Sequence, residues 1–379
     1  MKYIRIVGLL TVSAILLAGC WDQKLLRDVR LVYGFSFDAG KDGLLKIGAA
    51  IRENPPSTQG PVTPESDVKT VEGKNVLDGR AQLDHQVAGN YKATKAQVFL
   101  IGDELAKKDI YSLFSQYYRM ADSPLNAKVA IVKGEAHDII KMRRIGTMLV
   151  SEYLFKLIKT AEKNVMVPHI NMMMIFKYTI DPSVSLFLPH VAYNKKKNEV
   201  KLDGLALMDG RKFSGTVLDI DESNMCMLMY NKKGKINALT IKVSDEDNRL
   251  PLRNYLTVNV DRLHRKIRIQ PVEGEYPLQV KLDLELDVKV WEYPKDRLDN
   301  PEVRKMLDEQ LNEELTKRAE KVIKKLQKSR CDIFGIAREL IAYHPELWNK
   351  VKDEWETVFS NITFKPQVHA RIAYKGSTN

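Results

Sequence analysis

Cysteine is scarce: 379 residues hold three, at positions 20, 226 and 331. Without closely spaced pairs they cannot build a disulfide-stapled scaffold, a zinc ribbon or a finger. The signatures of a phosphate loop, a nucleophile elbow and a dinucleotide site are missing, since no G-x-x-x-x-G-K, G-x-S-x-G or strand-led G-x-G-x-x-G occurs. The seven histidines (85, 137, 169, 190, 264, 344 and 369) include no two spaced to share a helix face, so a metal is not expected. What is present is ordinary globular composition: 44% hydrophobic and 29% charged residues, with 15 Pro and 20 Gly, which excludes disorder, collagen and a polytopic membrane protein. The length allows two or three domains.

The chain opens with an address. Lys2 and Arg5 precede an apolar stretch, residues 6–18, and Leu17, Ala18, Gly19 and Cys20 close the segment. This is the layout of a secretory signal, and the stretch is too short for a spanning helix, which needs ~20 residues. The last four residues resemble a bacterial lipobox, with small side chains for signal-peptidase recognition and a thiol for lipid attachment. Cleavage after residue 19 would leave Cys20 as the first residue of a tethered ectodomain, bearing covalent diacylglycerol and N-acyl lipid and no other cofactor. Two or more acyl chains suffice for stable anchoring where one does not. The formal charge of +11 falls by two when Lys2 and Arg5 leave. Such a basic ectodomain is attracted to anionic headgroups at ~1 kcal/mol for each cation near the surface. Nucleic acid, the rival partner of a basic chain, is set aside because no RNP, zinc-finger or helix-turn-helix signature appears.

Along the ectodomain, residues 30–38 alternate, with Leu31, Tyr33, Phe35 and Phe37 on one face and Val32, Gly34 and Ser36 on the other, which predicts a half-buried strand. A turn cluster and the apolar run 44–51 complete a hairpin. Residues 53–67, rich in proline, read as an exposed loop. Val76, Leu77, Arg80, Leu83 and Val87 recur at helical spacing, 96–102 and 127–132 read as strands, and Asp103 and Asp109 are candidate caps for the helices between them. Residues 138–160 read as one helix. Strand pieces over 184–210, split by Lys195, Lys196 and Lys197, lead into a strand-turn-strand at 204–217, an apolar strand at 224–230 around Cys226, and a strand at 235–243. Further on, Leu282, Leu284, Leu286, Val288 and Val290 alternate with charged residues, giving one dry and one wet face. Asn300 and Pro301 open a helix whose stripe runs Val303, Leu307, Leu311, Leu315, Ala319, Val322 and Leu326. Helices follow at 332–343 and after Pro345, the latter with Trp348, Val351, Trp355 and Phe359 on one face; a strand at 362–374 ends the pattern.

The expected fold class is α+β (mixed α/β), with mixed sheets covered by helices. The expected divisions are the signal peptide 1–19, an N-terminal mixed α/β domain 20–195, a small strand-dominated middle domain 196–248 and a C-terminal α+β domain 249–379 with one long amphipathic helix. Candidate chemistry is thin. Asp219, Asp221 and Ser223 imitate the start of a calcium loop, but Asn224 and Tyr230 stand where Gly and a bidentate Glu are required, so a solvated turn is expected. Asp283, Glu285 and Asp287 share a strand face with Lys281 and Lys289, a mixed-sign wet face rather than an acid/base pair. Cys226 and Cys331 read as separate buried thiols. No catalytic, cofactor or metal residue emerges.

Cys20, Trp21 and Asp22 resemble the Cys-Trp-Asp opening of the Ger(x)C family, the C-type lipoprotein subunits of spore germinant receptors. Asp332, Ile333, Gly335, Pro345, Trp348, Trp355 and Phe359 resemble that family's C-terminal Asp-Ile-x-Gly, Pro-x-x-Trp and Trp-x-x-x-Phe pattern. The segments EGKNVLDG, FLIGDELAKKDI and GLALMDGRKFSG are similar to three further family segments. The resemblance implies a non-enzymatic, three-domain subunit anchored on the outer face of the spore inner membrane, with integral membrane subunits of A and B type as partners. The alternative is a solute-binding lipoprotein feeding a membrane transporter, which predicts two similar lobes around a deep cleft.

Overall fold

The computed structural model describes residues 3, 8, 29–53, 64–181, 183–244, 249–276 and 278–374. Leu17, Ala18, Gly19 and Cys20 lie outside the described residues, as do Trp21 and Asp22.

β1 (Val29–Ala39) and β2 (Leu45–Glu53) form the expected hairpin. β3 (Glu65–Gly73) adds to β2, so the loop expected over 53–67 ends sooner than its prolines suggested. As the edge strand, β3 is kept charged by Glu65, Asp67, Lys69 and Glu72, which hides it from a search for apolar runs. α1 (Val76–Asp84) is capped by Asn75, whose side chain accepts from the Asp78 N–H. Then follow β4 (Asn90–Lys92), β5 (Val98–Gly102), the short α2 (Asp103–Ala106) and α3 (Tyr111–Phe114), and β6 (Lys128–Val132). Asp109 caps as expected, accepting from the Tyr111 N–H at 2.9 Å; Asp103 does not, because it is already the first residue of its helix.

α4 (Ala136–Ile140), the small hairpin β7 (Arg144–Ile145) and β8 (Met148–Leu149), and α5 (Val150–Lys163) occupy the segment expected as one helix. Arg143 and Gly146 have φ of +62° and +57°, and a right-handed helix cannot pass through either. α6 (Met172–Ile180) precedes β9 (Phe187–Asn194), β10 (Glu199–Asp209) and β11 (Lys212–Leu218).

These strands make a nine-stranded sheet in the order β11-β10-β9-β6-β5-β1-β2-β3, with β4 beside the start of β1. Its centre, β1, β5, β6 and β9, is parallel, and antiparallel strands flank it on both sides. Phe35, Phe37 and Phe99 stack on one face, while Leu100, Ala130, Val132, Ile140 and Leu154 form the core of the other. Both faces are therefore dry, as parallel strands require. β1 is not half-buried: Gly34 and Ser36 are buried, and a Cβ on Gly34 would stand 2.4 Å from Ser151 Oγ of α5.

α7 (Ile220–Met229), β12 (Ala238–Lys242), β13 (Tyr255–Pro271), β14 (Leu278–Glu292), α8 (Pro301–Lys328), α9 (Ile336–Tyr343), α10 (Pro345–Val351), α11 (Trp355–Asn361) and β15 (Thr363–Tyr374) complete the chain. The second sheet runs β12-β13-β14-β15, with β15 parallel to β14 because the helices from α8 to α11 cross over between them. α8 is the long helix that Asn300 and Pro301 announced; its buried stripe is Leu307, Leu311, Leu315, Ala319, Val322 and Leu326. Each fully buried leucine contributes about 1.5–3 kcal/mol relative to exposure.

Two expectations fail around α7. Asp219 accepts from the Glu222 N–H at 2.9 Å and Glu222 returns the bond to the Asp219 N–H at 3.0 Å, so the supposed solvated turn is a capping box. The apolar residues that follow, Cys226 included, are helical and buried all round, a pattern that periodicity cannot tell from a buried strand. The segment 196–248 is divided: β10 and β11 lie in the large sheet and β12 in the small one. Phe187, Leu205 and Met225–Met229 share one core with Leu239, Leu282 and Leu311. A piece that short has too little surface to bury by itself.

Candidate functional site

In open α/β sheets ligands bind outside the carboxyl ends of the parallel strands. Here those ends carry Asp38 on β1, Gly102 on β5, Lys133 after β6 and His190 on β9. Asp38 is buried and its two carboxylate oxygens accept from the backbone N–H groups of Ala136 and His137 at 2.7 and 2.8 Å. Burial raises its pKa to about 6 against those two donors. Gly102 makes the room: a Cβ there would lie 2.2 Å from Asp38 Oδ1 and 2.9 Å from the Gly134 carbonyl oxygen. The anion position at the start of α4 is thus filled by the chain's own carboxylate. His190 Nδ1 lies 3.3 Å from Asp203 Oδ2; burial pulls the imidazole's pKa down, opposed by the Asp203 charge. The Asp38 carboxylate thus locks β1 to the start of α4, while Ser36 Oγ and His137 Nδ1 are buried beside it without a hydrogen-bond partner among the described residues.

The C-terminal motif residues also meet in space. Asp332 is sealed from solvent and accepts from the N–H groups of Gly335, Ile336 and Ala337 at 2.9, 3.1 and 2.9 Å. Helix α9 therefore starts at Ile336, and the expected start at 332 is a tight loop with Gly335 at φ +73°, a conformation that suits glycine. The Asp332 N–H donates to Ser185 Oγ at 2.8 Å, and the Ser185 N–H donates back to the Asp332 carbonyl at 3.1 Å. Arg338 pairs with Asp181. The helix expected after Pro345 is broken by a 3-10 turn at Lys352–Glu354. Across the break, Trp348 meets Trp355 edge-on at 5.6 Å, Trp355 meets Phe359 at 6.0 Å, and Phe359 and Phe334 each meet Phe364 at 5.8 Å. Asp332 joins the two halves of the chain, and the aromatic residues brace α10 and α11 against β15.

At the opposite, amino edge of the parallel strands the buried Lys128 donates to both oxygens of the buried Glu162 at 2.7 Å. The exposed His169 places Nδ1 2.9 Å from Glu162 Oε2. No charge pattern in the sequence marks Lys128 and Glu162 as buried. Asp283 and Asp287 sit on the wet face as expected, paired with Arg268 and Arg371. Cys226 and Cys331 are free and buried, and burial pushes the Cys331 thiol up to about 12 and raises that of Cys226. No group of three His, Cys, Asp or Glu that could hold a metal exists among the described residues. Three grooves of about 280, 520 and 520 Å³ are open and lined mainly by charged side chains.

The models for the spore germination protein N-terminal domain and for the spore germination B3/GerAC-like C-terminal region match residues 22–193 and 203–376. The chain belongs to the Ger(x)C family of spore germination proteins. Among Ger(x)C relatives, spore germination protein GerQC of Bacillus cereus is 22% identical over 371 residues, 98% of each chain. Spore germination protein KC of Bacillus subtilis (strain 168) is 23% identical over 92% of this chain and 89% of its own. The crystal structure of the GerBC protein has the same mixed α/β fold, with a TM-score of 0.56 and 18% identity over 90% of this chain and 97% of GerBC. Membership bears out the resemblance drawn from Cys20, Trp21 and Asp22 and from the C-terminal pattern.

Proposed function

We propose that this chain is the lipid-anchored, non-catalytic C subunit of a spore nutrient germinant receptor. It assembles with membrane subunits of A and B type on the outer face of the spore inner membrane and helps trigger germination. The observation that carries the reading is end-to-end similarity to spore germination proteins, with both halves of the chain matched. The lipobox ending in Cys20 supports the anchor, as covalent diacylglycerol and N-acyl lipid, with Leu17, Ala18 and Gly19 as the signal-peptidase recognition residues. The buried carboxylates of Asp38 and Asp332 are both spent on the chain's own backbone N–H groups, which supports a structural role for them rather than chemistry, and no other cofactor is called for. The solute-binding alternative is disfavoured by two unlike sheets, nine- and four-stranded, that share a core where two similar lobes were expected.

The test is a membrane pull-down from dormant spores through a C-terminal tag, comparing wild type with Cys20→Ala. Recovery of A- and B-type membrane proteins with the wild type, reduced or lost with the variant, is the expected result. Recovery of a transporter permease, or of nothing at normal abundance, would overturn the reading.

A further inference from the structure

The register of the parallel strands sets the direction from which the chain enters. Gly34 pairs with Val98 and Val98 with Lys128, so Val29 lies five residues, about 17 Å at ~3.3 Å per residue, beyond the point where β1, β5 and β6 run together. The chain comes to the sheet from the amino edge. Nine residue steps separate Cys20 from Val29, at most ~32 Å when fully extended.

Cations without carboxylate partners gather at this same edge. α5 ends beside Lys128, and Lys159 and Lys163 line an open groove of about 520 Å³ with Glu162 and His169. The loop after α7 brings Lys232, Lys233 and Lys235, all exposed. It sits directly on the end of α5, where a Cβ on Gly234 would lie 3.0 Å from the Asn164 carbonyl. Lys233 also lines a second groove of mixed charge, with Arg262 and Arg371 beside Asp261, Glu285 and Asp287. None of Lys159, Lys163, Lys232, Lys233 and Lys235 is paired with a carboxylate among the described residues. Of the carboxylates at this edge, Glu162 is occupied by Lys128 and His169, and Asp122 by Lys92.

We propose that the amino edge of the large sheet, with Lys159, Lys163, Lys232, Lys233 and Lys235, is the face that docks on an anionic lipid surface. The inference rests on the anchor reading of Cys20 and adds to it which side of the molecule meets the bilayer. A tether this short holds the edge near the headgroups, and lysines within a Debye length of them feel the surface potential.

The test uses the whole chain purified from membranes and reconstituted into vesicles of phosphatidylcholine, alone or mixed with phosphatidylglycerol. Lysines are acetylated and the rates read by peptide mass. The five lysines should react severalfold more slowly in the phosphatidylglycerol vesicles, and the protection should fade as salt shortens the Debye length from ~10 Å at 0.1 M to ~3 Å at 1 M. Lys41 and Lys196, exposed in turns at the carboxyl edge, should react equally in both. Equal rates for the five lysines, or protection of Lys41 and Lys196 instead, would overturn the proposal. The triple variant Lys163→Glu, Lys233→Glu, Lys235→Glu changes only exposed side chains and should abolish protection of Lys159 and Lys232; retained protection would overturn the electrostatic basis. The mass of the Cys20 peptide from the same digest reports lipidation separately. A chain without lipid there sinks the anchor reading, while the footprint on the vesicle-bound fraction still decides the docking face.

Discussion

Replacing Asp332 with Asn keeps the shape of the side chain and removes its charge. In the native fold burial pushes the carboxyl up from 3.8 to about 6, opposed by the backbone N–H groups it accepts from. A carboxyl raised in this way binds more protons folded than unfolded between those two values. Its contribution to stability is therefore fully present below pH 3.8 and lost as the pH rises through 6. Between pH 5 and 7.5 that loss comes to about 1 kcal/mol. Asparagine does not titrate, so this part of the pH slope vanishes in Asp332→Asn. The amide also turns an NH2 group toward one of the three backbone N–H groups; a carboxyl oxygen can accept there in either protonation state and the NH2 cannot, at a cost of about 1–3 kcal/mol. The variant should be less stable at pH 5, and the gap to wild type should narrow by about 1 kcal/mol at pH 7.5. Urea unfolding at both pH values, with unchanged m-value, measures it. A gap that stays constant or widens with pH refutes the assignment of a buried, titrating carboxyl.

Gly102→Ala should expel Asp38 from the start of α4, since the new methyl overlaps Oδ1; a loss of about 2 kcal/mol or more by urea unfolding is expected. Glu162→Gln leaves the Lys128 ammonium buried without a counter-charge and should cost about 3–5 kcal/mol, whereas exposed Lys305→Gln on α8 should change unfolding by less than about 0.5 kcal/mol. Native protein at pH 8 should leave Cys226 and Cys331 unmodified by an aromatic disulfide reagent, because burial holds both thiols protonated; both should react once urea unfolds the chain.

What the sequence made legible were elements with one dry and one wet face. β14 and α8 declared themselves through strict period-2 and 3.6-residue patterns because each covers a core on one side only. β1 misled because the residues on its second buried face, Gly34 and Ser36, are small to admit α5, and small residues carry no apolar signal. α7 misled for the opposite reason, being apolar on every side. The Asp332 motif was visible by resemblance, but its partner Ser185 is 147 positions away, and nothing local to either residue names the other. Lys128 and Glu162 carried no signal, because a buried ion pair looks the same in sequence as a solvated one.

The register of β1 also has a mechanical consequence. β1 is the first strand of the sheet, sits near its centre, and pairs antiparallel with β2 over Val32–Ala39 on one side and parallel with β4 over Val29–Leu31 and β5 over Gly34–Phe37 on the other. A pull on the amino end is directed along the strand axis, so the lateral hydrogen bonds on both sides are loaded together in shear instead of being unzipped one by one. Force arriving through the amino-terminal segment is spread across the widest sheet in the molecule. The Asp332–Ser185 hydrogen bonds join that sheet to the C-terminal half, so a load taken up by β1 has a direct path into it.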